Sequence, residues 1–355
     1  MYHRSILGNI TGGRFPFGNW LEMKEPRNLY FDFLRGIAIM MVVGIHTFLY
    51  ADVGFGSFRG SCNVVIRQLF NCAVPLFLAI SGFFLAGKDL SDVDKRYAFW
   101  KHQIPKVYLP TLIWGVPWLI LSIAGGASFV KSVFLWLFCG FSVFYYIALI
   151  IQYYLLLPAI QRFSFFNPLR CCLISAMISL VSIVVVTWFR AYRGVNLPML
   201  IYAGSFPVQL LFFVLGVALS RIKRDYCLWW VIIAFLAGLF LQYLETSYLV
   251  NMGVAGYGIK LSSFIYSTFV ILLLFSKRIE NMFNSDHLLS RLIAKIGTLS
   301  LGMYLSHMLV YRVLKHLWVI DGWLVRWLVV FAIDILLVLA LNRVLPKKVS
   351  RLLGV

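Results

Sequence analysis

The sequence is poor in charge, and in acidic residues above all. Only 13% of its 355 residues are charged, and 13 aspartates and glutamates stand against 32 lysines and arginines. Hydrophobic residues make up 61% of the chain and aromatic residues 17%, which is far outside the range of soluble domains. The composition therefore predicts an all-α polytopic membrane protein and leaves no separate soluble domain.

The six cysteines form no recognisable pattern. None has the CxxC spacing of a metal or redox site, and most lie in or beside apolar segments, where a free thiol acts as a small hydrophobe. We therefore expect neither a metal site nor a disulfide framework. The net charge of +19 does not favour nucleic acid as a partner, because the basic residues form short runs between apolar segments, as topology signals do. Membrane lipids are the expected surroundings, and the oligomeric state is open.

Residues 1–28 lack the apolar core and small-residue cleavage site of a secretory signal. We expect 1–28 to be a cytoplasmic N-terminal tail, 29–346 a transmembrane domain and 347–355 a short basic cytoplasmic tail.

Hydrophobic windows predict about ten membrane spans. They are 30–50, 63–86, 105–124, 142–160, 170–189, 206–221, 227–244, 258–276, 293–316 and 323–344. The apolar piece 129–140 is too short for an ordinary span, so we expect it to be re-entrant or interfacial. If both termini are cytoplasmic, most basic residues fall on the inner side, as the positive-inside rule requires.

The first span carries three ionisable side chains, Asp32, Arg35 and His46. At about 100° per residue they lie within an arc of roughly 60°, so they form one polar stripe along the helix. Ionisable groups inside a bilayer are costly and usually face a partner or a water-filled cavity. A structural ion pair would need only Asp32 and Arg35, so the inclusion of His46 favours a functional site.

Polar residues of the next segments each have two interpretations. Ser81, at the depth of Arg35, either helps to bind the cofactor or, beside Gly82, serves close helix packing through small residues. Lys101 and Lys106 either bind phosphates of a cytoplasmic ligand or simply hold topology. Gln152 either contacts a substrate or forms an interhelical hydrogen bond.

Arg67, Gln68 and Asn71 form a polar patch near the outer end of the second span. Long basic side chains near helix ends commonly extend to the headgroups, and we expect the same of this patch.

The ninth span, like the first, carries three polar residues on one face. Ser300, Tyr304 and His307 are spaced four and three apart, and His307 lies at about the depth of His46. Tyr304 and His307 are candidates for orienting a substrate, although a lone histidine on an apolar face is often structural. Asp334 lies near the middle of the last span and needs a partner that the sequence does not identify.

Three of these segments together resemble the acyltransferase-3 family of membrane O-acyltransferases. Its first-helix signature is similar to Asp32, the Leu34-Arg35-Gly36 run and His46 after ten intervening residues. Its second motif resembles Val74-Pro75-Leu76-Phe77 followed by Ser81-Gly82-Phe83, and its late-helix motif resembles Leu299-Ser300 through Tyr304 and His307. The similarity covers about residues 28–346.

The resemblance implies an enzyme of the bacterial plasma membrane that moves an acyl group, usually acetyl from acetyl-CoA, to a hydroxyl of an envelope carbohydrate. It implies Arg35 and His46 as the essential pair, with Asp32 beside them. Two lysines, Lys101 and Lys106, stand with altered spacing where the family has arginines before its third helix. The implied partners are acyl-CoA and a carbohydrate or lipid-linked glycan.

We expect CoA to dock at the basic cytoplasmic face and to pass its pantetheine arm along the first helix, past Arg35 and towards His46. Neutral His46 then takes the proton of the attacking hydroxyl, since imidazole titrates near working pH. Direct transfer and a transient acyl-histidine are both open.

Two other classes of protein share part of this pattern. A proton-coupled transporter also uses intramembrane Asp, Arg and His, but the first-helix motif has no counterpart in the second half of the chain, as a repeated transporter would have. A non-catalytic scaffold of a polysaccharide export complex explains the hydrophobicity but not the polar stripe.

Overall fold

A computed structural model describes residues 28–49, 52, 57–254 and 256–355. Within these residues all regular structure is helical, and no strand occurs. The helices are α1 Leu29–Thr47, α2 Phe58–Leu69, α3 Ala73–Leu85, α4 Val93–Ala124, α5 Phe129–Leu137, α6 Tyr145–Phe166, α7 Pro168–Ala191, α8 Met199–Tyr202, α9 Phe206–Leu219, α10 Leu228–Asn251, α11 Leu261–Phe275, α12 Lys277–Met282, α13 Leu288–Thr298, α14 Ser300–Leu317, α15 Trp323–Val344 and α16 Lys347–Leu352. The predicted N-terminal tail lies, except for Asn28, outside the described residues.

Seven of the described helical segments are long and apolar enough to cross a membrane, with α2 and α3 together forming one of them. The bent pair α13 and α14 would be an eighth, and α9 and α11 are shorter apolar helices. Every predicted span corresponds to one of these helices or pairs. The predicted fold class, an all-α multi-pass membrane protein, is confirmed.

Helix α4 begins well before the predicted span at 105. Asp92 accepts a hydrogen bond from the backbone N–H of Lys95 at 2.8 Å and so caps the first turn. The helix then continues for 32 residues through Pro105, Pro110 and Pro117, which a membrane helix tolerates because neighbouring groups satisfy the freed carbonyls. The charged stretch before 105 is therefore mostly helical, and it carries Lys101 as an exposed side chain.

The predicted span 293–316 is two helices that meet at an angle of 76°. The bend lies at Leu299, so α13 crosses α1 instead of continuing along α14. Gly36 of α1 and Gly297 of α13 make this crossing possible: a Cβ at Gly297 would lie 1.8 Å from the carbonyl oxygen of Asp32. The crossing brings the start of α14, Ser300, next to the polar end of α1.

The short apolar piece around 129–140 forms α5, which has only nine residues. It packs against α4, where Trp136 donates its indole N–H to the carbonyl of Leu112 at 2.8 Å and the hydroxyls of Ser122 and Ser132 lie 2.8 Å apart. It is too short to span a bilayer as a helix.

The predicted basic tail 347–355 contains the packed helix α16. Trp114 of α4 donates its indole N–H to the carbonyl of Leu353 at 3.0 Å, and Ser350 is buried and donates to the carbonyl of Val355 at 3.1 Å. The tail therefore belongs to the folded bundle.

Candidate active site

The polar end of α1 opens into a cavity of about 420 Å³, which we call the Arg35 pocket. Arg35 donates from Nη1 to Oδ1 of buried Asp32 at 2.6 Å, as two residues three apart on a helix can. About a third of the Arg35 side chain is exposed, and its guanidinium carbon lies 5.3 Å from the ring centroid of Phe84. Arg35 can therefore contact a ligand while Asp32 fixes one of its nitrogens.

A narrower cavity of about 150 Å³, the Ser81 pocket, adjoins the first. The two pockets share Ser300 and Leu301 as wall residues. Ser81 and Gly82 have different surroundings. Ser81 lines this pocket, whereas a Cβ at Gly82 would lie 2.2 Å from the carbonyl oxygen of Phe213. Close packing therefore explains Gly82, and Ser81 faces the cavity.

The third cavity, the His46 pocket, has a volume of about 260 Å³. It shares Val42, Val74 and Tyr304 with the Ser81 pocket. The three pockets thus follow one another along α1 from Arg35 to His46, a distance of about 16 Å along the helix axis. The polar stripe of α1 faces this series of cavities.

Two imidazoles meet at the far end of the series. The ring centroids of His46 and His307 are 5.4 Å apart, and the planes are inclined by 40°. His307 is buried, and its Nδ1 lies 3.1 Å from the carbonyl oxygen of Met303. Because a carbonyl only accepts, Nδ1 carries the hydrogen, and Nε2 keeps a lone pair that has no partner among the described residues.

A family model described as an acyltransferase domain matches residues 28–343, nearly the whole chain. The chain belongs to the acyltransferase-3 family. Comparisons with curated proteins and with solved structures gave no match. As a member of this family the chain is a membrane acyltransferase, and the matched residues include all three pockets and both histidines.

Tyr304 of α14 is the other residue predicted to orient the substrate of this acyltransferase-3 protein. It lines both the Ser81 pocket and the His46 pocket. Its hydroxyl donates to the carbonyl of Val143, and its ring lies edge-on to Tyr146 with centroids 5.4 Å apart. The hydroxyl proton is therefore engaged. Tyr304 can present its ring and an oxygen lone pair to a ligand, but not a free donor.

Gln152 was predicted to bind substrate, with an interhelical hydrogen bond as the alternative. The structure shows the alternative: its amide N–H donates to the carbonyl of Gly204 at 2.7 Å, and its oxygen accepts from the backbone N–H of Phe206 at 3.0 Å. Gln152 lines none of the three pockets. These bonds tie α6 to the start of α9, and the role of Gln152 in binding substrate stays a prediction.

Lys101 and Lys106, predicted to contact the donor, are exposed on α4. Neither lines the Arg35 pocket or the other two cavities. Their positions fit an electrostatic contribution to the surface more closely than a fixed contact with a bound ligand.

The polar patch of α2 points inward and not to the headgroups as expected. Arg67 is only 6% exposed, Gln68 is fully buried, and Arg67 and Asn71 line the His46 pocket. The spacing of Arg67 and Asn71, four apart, already indicated a shared face. It did not indicate which way that face turns.

The partner of Asp334 is Ser306, whose hydroxyl donates to Oδ1 at 2.5 Å between α14 and α15. Both side chains are fully buried. Ser306 precedes His307, so this bond fixes α14 at the turn that carries the histidine.

Proposed function

We propose that this membrane acyltransferase moves an acyl group, acetyl in the first instance, from cytoplasmic acyl-CoA to a hydroxyl of an envelope or exopolysaccharide glycan. The observation that carries the proposal is the series of three pockets that leads from Arg35 to the His46–His307 pair. In the topology with both termini cytoplasmic, Arg35 faces the bacterial cytoplasm and the histidines lie towards the outer leaflet of the plasma membrane.

The donor would enter at the Arg35 pocket. Asp32 occupies one nitrogen of Arg35, and the rest of the partly exposed guanidinium is free to bind a phosphate of CoA, for which its planar fork is well suited. The second carboxylate oxygen of Asp32 is enclosed and has no hydrogen-bond partner among the described residues, so it can accept from a ligand N–H or O–H. The residues present therefore fit an acyl-CoA headgroup at this end.

The narrow Ser81 pocket suits the pantetheine arm. Its walls include Val42, Val74 and Phe77, with the Ser81 and Ser300 hydroxyls as polar groups. An extended chain that carries amides and methylenes needs such a mixed lining. The thioester would then reach the His46 pocket while the nucleotide stays at the Arg35 end.

The chemistry would take place at the two histidines. His46 accepts the proton of the acceptor hydroxyl as its oxygen attacks the thioester carbonyl carbon, and the C–S bond breaks when the tetrahedral intermediate collapses. The leaving CoA sulfur takes the proton back from the imidazolium. His307 lines none of the three pockets, and its free Nε2 accepts a hydrogen bond from His46 and so orients that ring for the reaction.

A direct test reconstitutes the purified protein in vesicles, supplies acetyl-labelled acetyl-CoA on one side and lipid-linked glycans on the other, and measures labelled glycan and free CoA thiol together. We expect the two products in equal amounts from wild type and neither above background from His46→Ala. Thiol release without labelled glycan would indicate hydrolysis only. No thiol release from the wild type with any glycan, or undiminished transfer in His46→Ala, would contradict the proposal.

A further inference from the structure

Arg67 is a buried cation without a counter-ion. Its side chain is 6% exposed and lines the His46 pocket. Nη1 donates to Oδ1 of Asn71 at 2.7 Å, and the enclosed Nε has no hydrogen-bond partner. No carboxylate of the described residues lies within ion-pair distance of its guanidinium, and α1, α3, α6, α9 and α11 supply no acidic side chain to the pocket wall.

The groups that surround Arg67 supply no negative charge. Asn71 donates through its amide to the side-chain oxygens of Gln68 and Gln242, both at 2.7 Å. Gln68 accepts at the same oxygen from Nζ of the fully buried Lys260, at 2.6 Å. Neutral amides thus join Arg67 to a second basic side chain.

Glu245, on the neighbouring helix α10, lies close enough to Lys260 to offset part of its charge, but it forms no ion pair with Lys260 or with Arg67. Its carboxylate accepts a hydrogen bond from the backbone N–H of Ser262 at 2.8 Å. Arg67 is therefore left without an acidic partner among the described residues.

Arg326 shows how the same protein pairs another buried arginine. Its Nη2 lies 2.9 Å from both carboxylate oxygens of Asp52, and its Nε donates to the carbonyl of Thr47 at 3.0 Å. Buried charges are normally paired in this way, because desolvation of a lone ion is costly. Arg326 keeps this pairing although it also lines a cavity, whereas Arg67 has no such partner at the wall of the His46 pocket.

We propose that the His46 pocket binds a carboxylate group, with Arg67 as its counter-ion. This inference rests on the proposed function and narrows its substrate class: the reacting molecules bring an anion to within reach of His46. The anion has two possible sources, an acidic sugar of the acceptor glycan, such as a uronic acid, or a dicarboxylic acyl group, such as succinyl, on the donor. Either would end with its negative charge beside the guanidinium and its reacting atom beside the imidazole.

Binding can be tested without turnover. The thermal unfolding midpoint of the purified protein is measured with sodium glucuronate, with sodium succinate and with glucose, at ionic strength matched with sodium chloride. A ligand that binds only the folded state raises the midpoint as its concentration exceeds its dissociation constant. We expect at least one of the two anions to raise it and glucose to leave it unchanged.

Three variants locate the effect. Arg67→Gln should lose the response to the anion, and Arg59→Gln, an exposed arginine earlier on the same helix, should keep it. Asn71→Asp supplies a carboxylate to Arg67 from within the chain, so it should also lose the response and serves if Arg67→Gln does not fold. Equal shifts with glucose, or a full response in Arg67→Gln or in Asn71→Asp, would overturn the proposal.

Activity distinguishes the two sources of the anion. Acetyl-CoA and succinyl-CoA are each combined with a lipid-linked acceptor ending in glucose or in glucuronate. If the anion belongs to the acceptor, KM for the glucuronate acceptor should be about 10- to 100-fold lower than KM for the glucose acceptor, with either donor. If the anion belongs to the acyl group, KM for succinyl-CoA should be lower than KM for acetyl-CoA, with either acceptor. Arg67→Gln should abolish whichever preference is seen.

One outcome would overturn the anion proposal and leave the proposed acyl transfer standing. In that outcome KM is equal in all four combinations and Arg67→Gln lowers kcat equally in each, so Arg67 serves the reaction whatever the substrate. Anion binding at Arg67 with no transfer in any combination would instead contradict the proposed function and leave the anion site standing.

Discussion

The imidazole rings of His46 and His307 lie 5.4 Å apart between centroids, although they come from opposite ends of the chain. His307 is held by its Nδ1 hydrogen on the carbonyl of Met303, whereas His46 makes no hydrogen bond to any described residue. One ring is therefore fixed and the other is available. This asymmetry separates the expected roles of the two histidines.

Replacement of His46 should stop the chemistry without unfolding the protein. We expect His46→Ala to lower kcat for acyl transfer by about 10²- to 10⁴-fold, the usual contribution of a general base, with little change in KM for acyl-CoA. The measurement is steady-state release of CoA thiol by protein whose thermal unfolding matches wild type. Transfer at the wild-type rate would remove His46 from the mechanism.

His307→Gln should have a smaller effect, because its side chain carries no proton in the reaction as proposed. Because His307 acts through His46, we expect kcat to fall by less than in His46→Ala and KM for the acceptor to stay unchanged. A loss of kcat as large as that of His46→Ala would instead indicate that His307 itself transfers the proton.

Arg35 should contribute to donor binding through a fixed contact. Arg35→Lys keeps the charge but loses the planar fork, so we expect KM for acetyl-CoA to rise about 10-fold, with the KM for the acceptor unchanged. The double variant Lys101→Gln, Lys106→Gln should raise the same KM only at low salt, since exposed charges are screened. Salt-independent loss in the lysine variant would instead indicate a direct contact.

The first-helix stripe was predictable because Asp32, Arg35 and His46 are costly in an apolar helix, and because helical periodicity alone places them on one face. The sequence also predicted a similar depth for His46 and His307, but not that the two rings would lie side by side. The stripe follows from one helix alone, whereas the contact between the rings depends on which helices are neighbours.

Arg67 shows what the sequence could not reveal. A guanidinium near the outer end of a span satisfies the same local pattern whether it extends to the headgroups or turns into a cavity. The direction depends on how α10 packs against α2 and on the α9 and α11 residues that border the cavity. The pairing of Gln68 with Lys260 likewise depends on residues far away in the sequence. The bend at Leu299 was missed for a related reason, since the apolar run continues through it.

Replacement of Gln152 distinguishes a structural role of this side chain from a role in substrate binding. Gln152→Leu removes the bonds to Gly204 and Phe206, and we expect it to lower the free energy of unfolding by about 1–3 kcal/mol while KM for both substrates stays unchanged. Gln161→Leu is the matched control, because Gln161 donates in the same way to the carbonyls of Leu85 and Lys88. A KM effect confined to Gln152→Leu would restore it as a substrate contact.

Asp334 and Ser306 should behave as one unit. Ser306→Ala leaves a buried carboxyl group without a partner, so we expect a loss of about 1–3 kcal/mol in unfolding free energy. Ser306→Ala combined with Asp334→Leu should cost less than the sum of the single changes, since no orphaned polar group remains. Thermal unfolding of the four proteins gives the coupling, and strict additivity would show that the bond contributes nothing.

Gly297 holds the Arg35 end of the site together. A Cβ there would meet backbone, the carbonyl oxygen of Asp32 at 1.8 Å, and backbone cannot move aside as a flexible side chain can. Gly297→Ala should therefore push α13 away from α1, destabilise the protein by about 1–3 kcal/mol and raise KM for acyl-CoA, because Gly297 also lines the Arg35 pocket. Gly87→Ala is the control, since a Cβ at Gly87 meets nothing within 4 Å. If Gly297→Ala lowered stability but left donor KM unchanged, the helix crossing would matter for folding alone, and donor entry at the Arg35 pocket would lose its support.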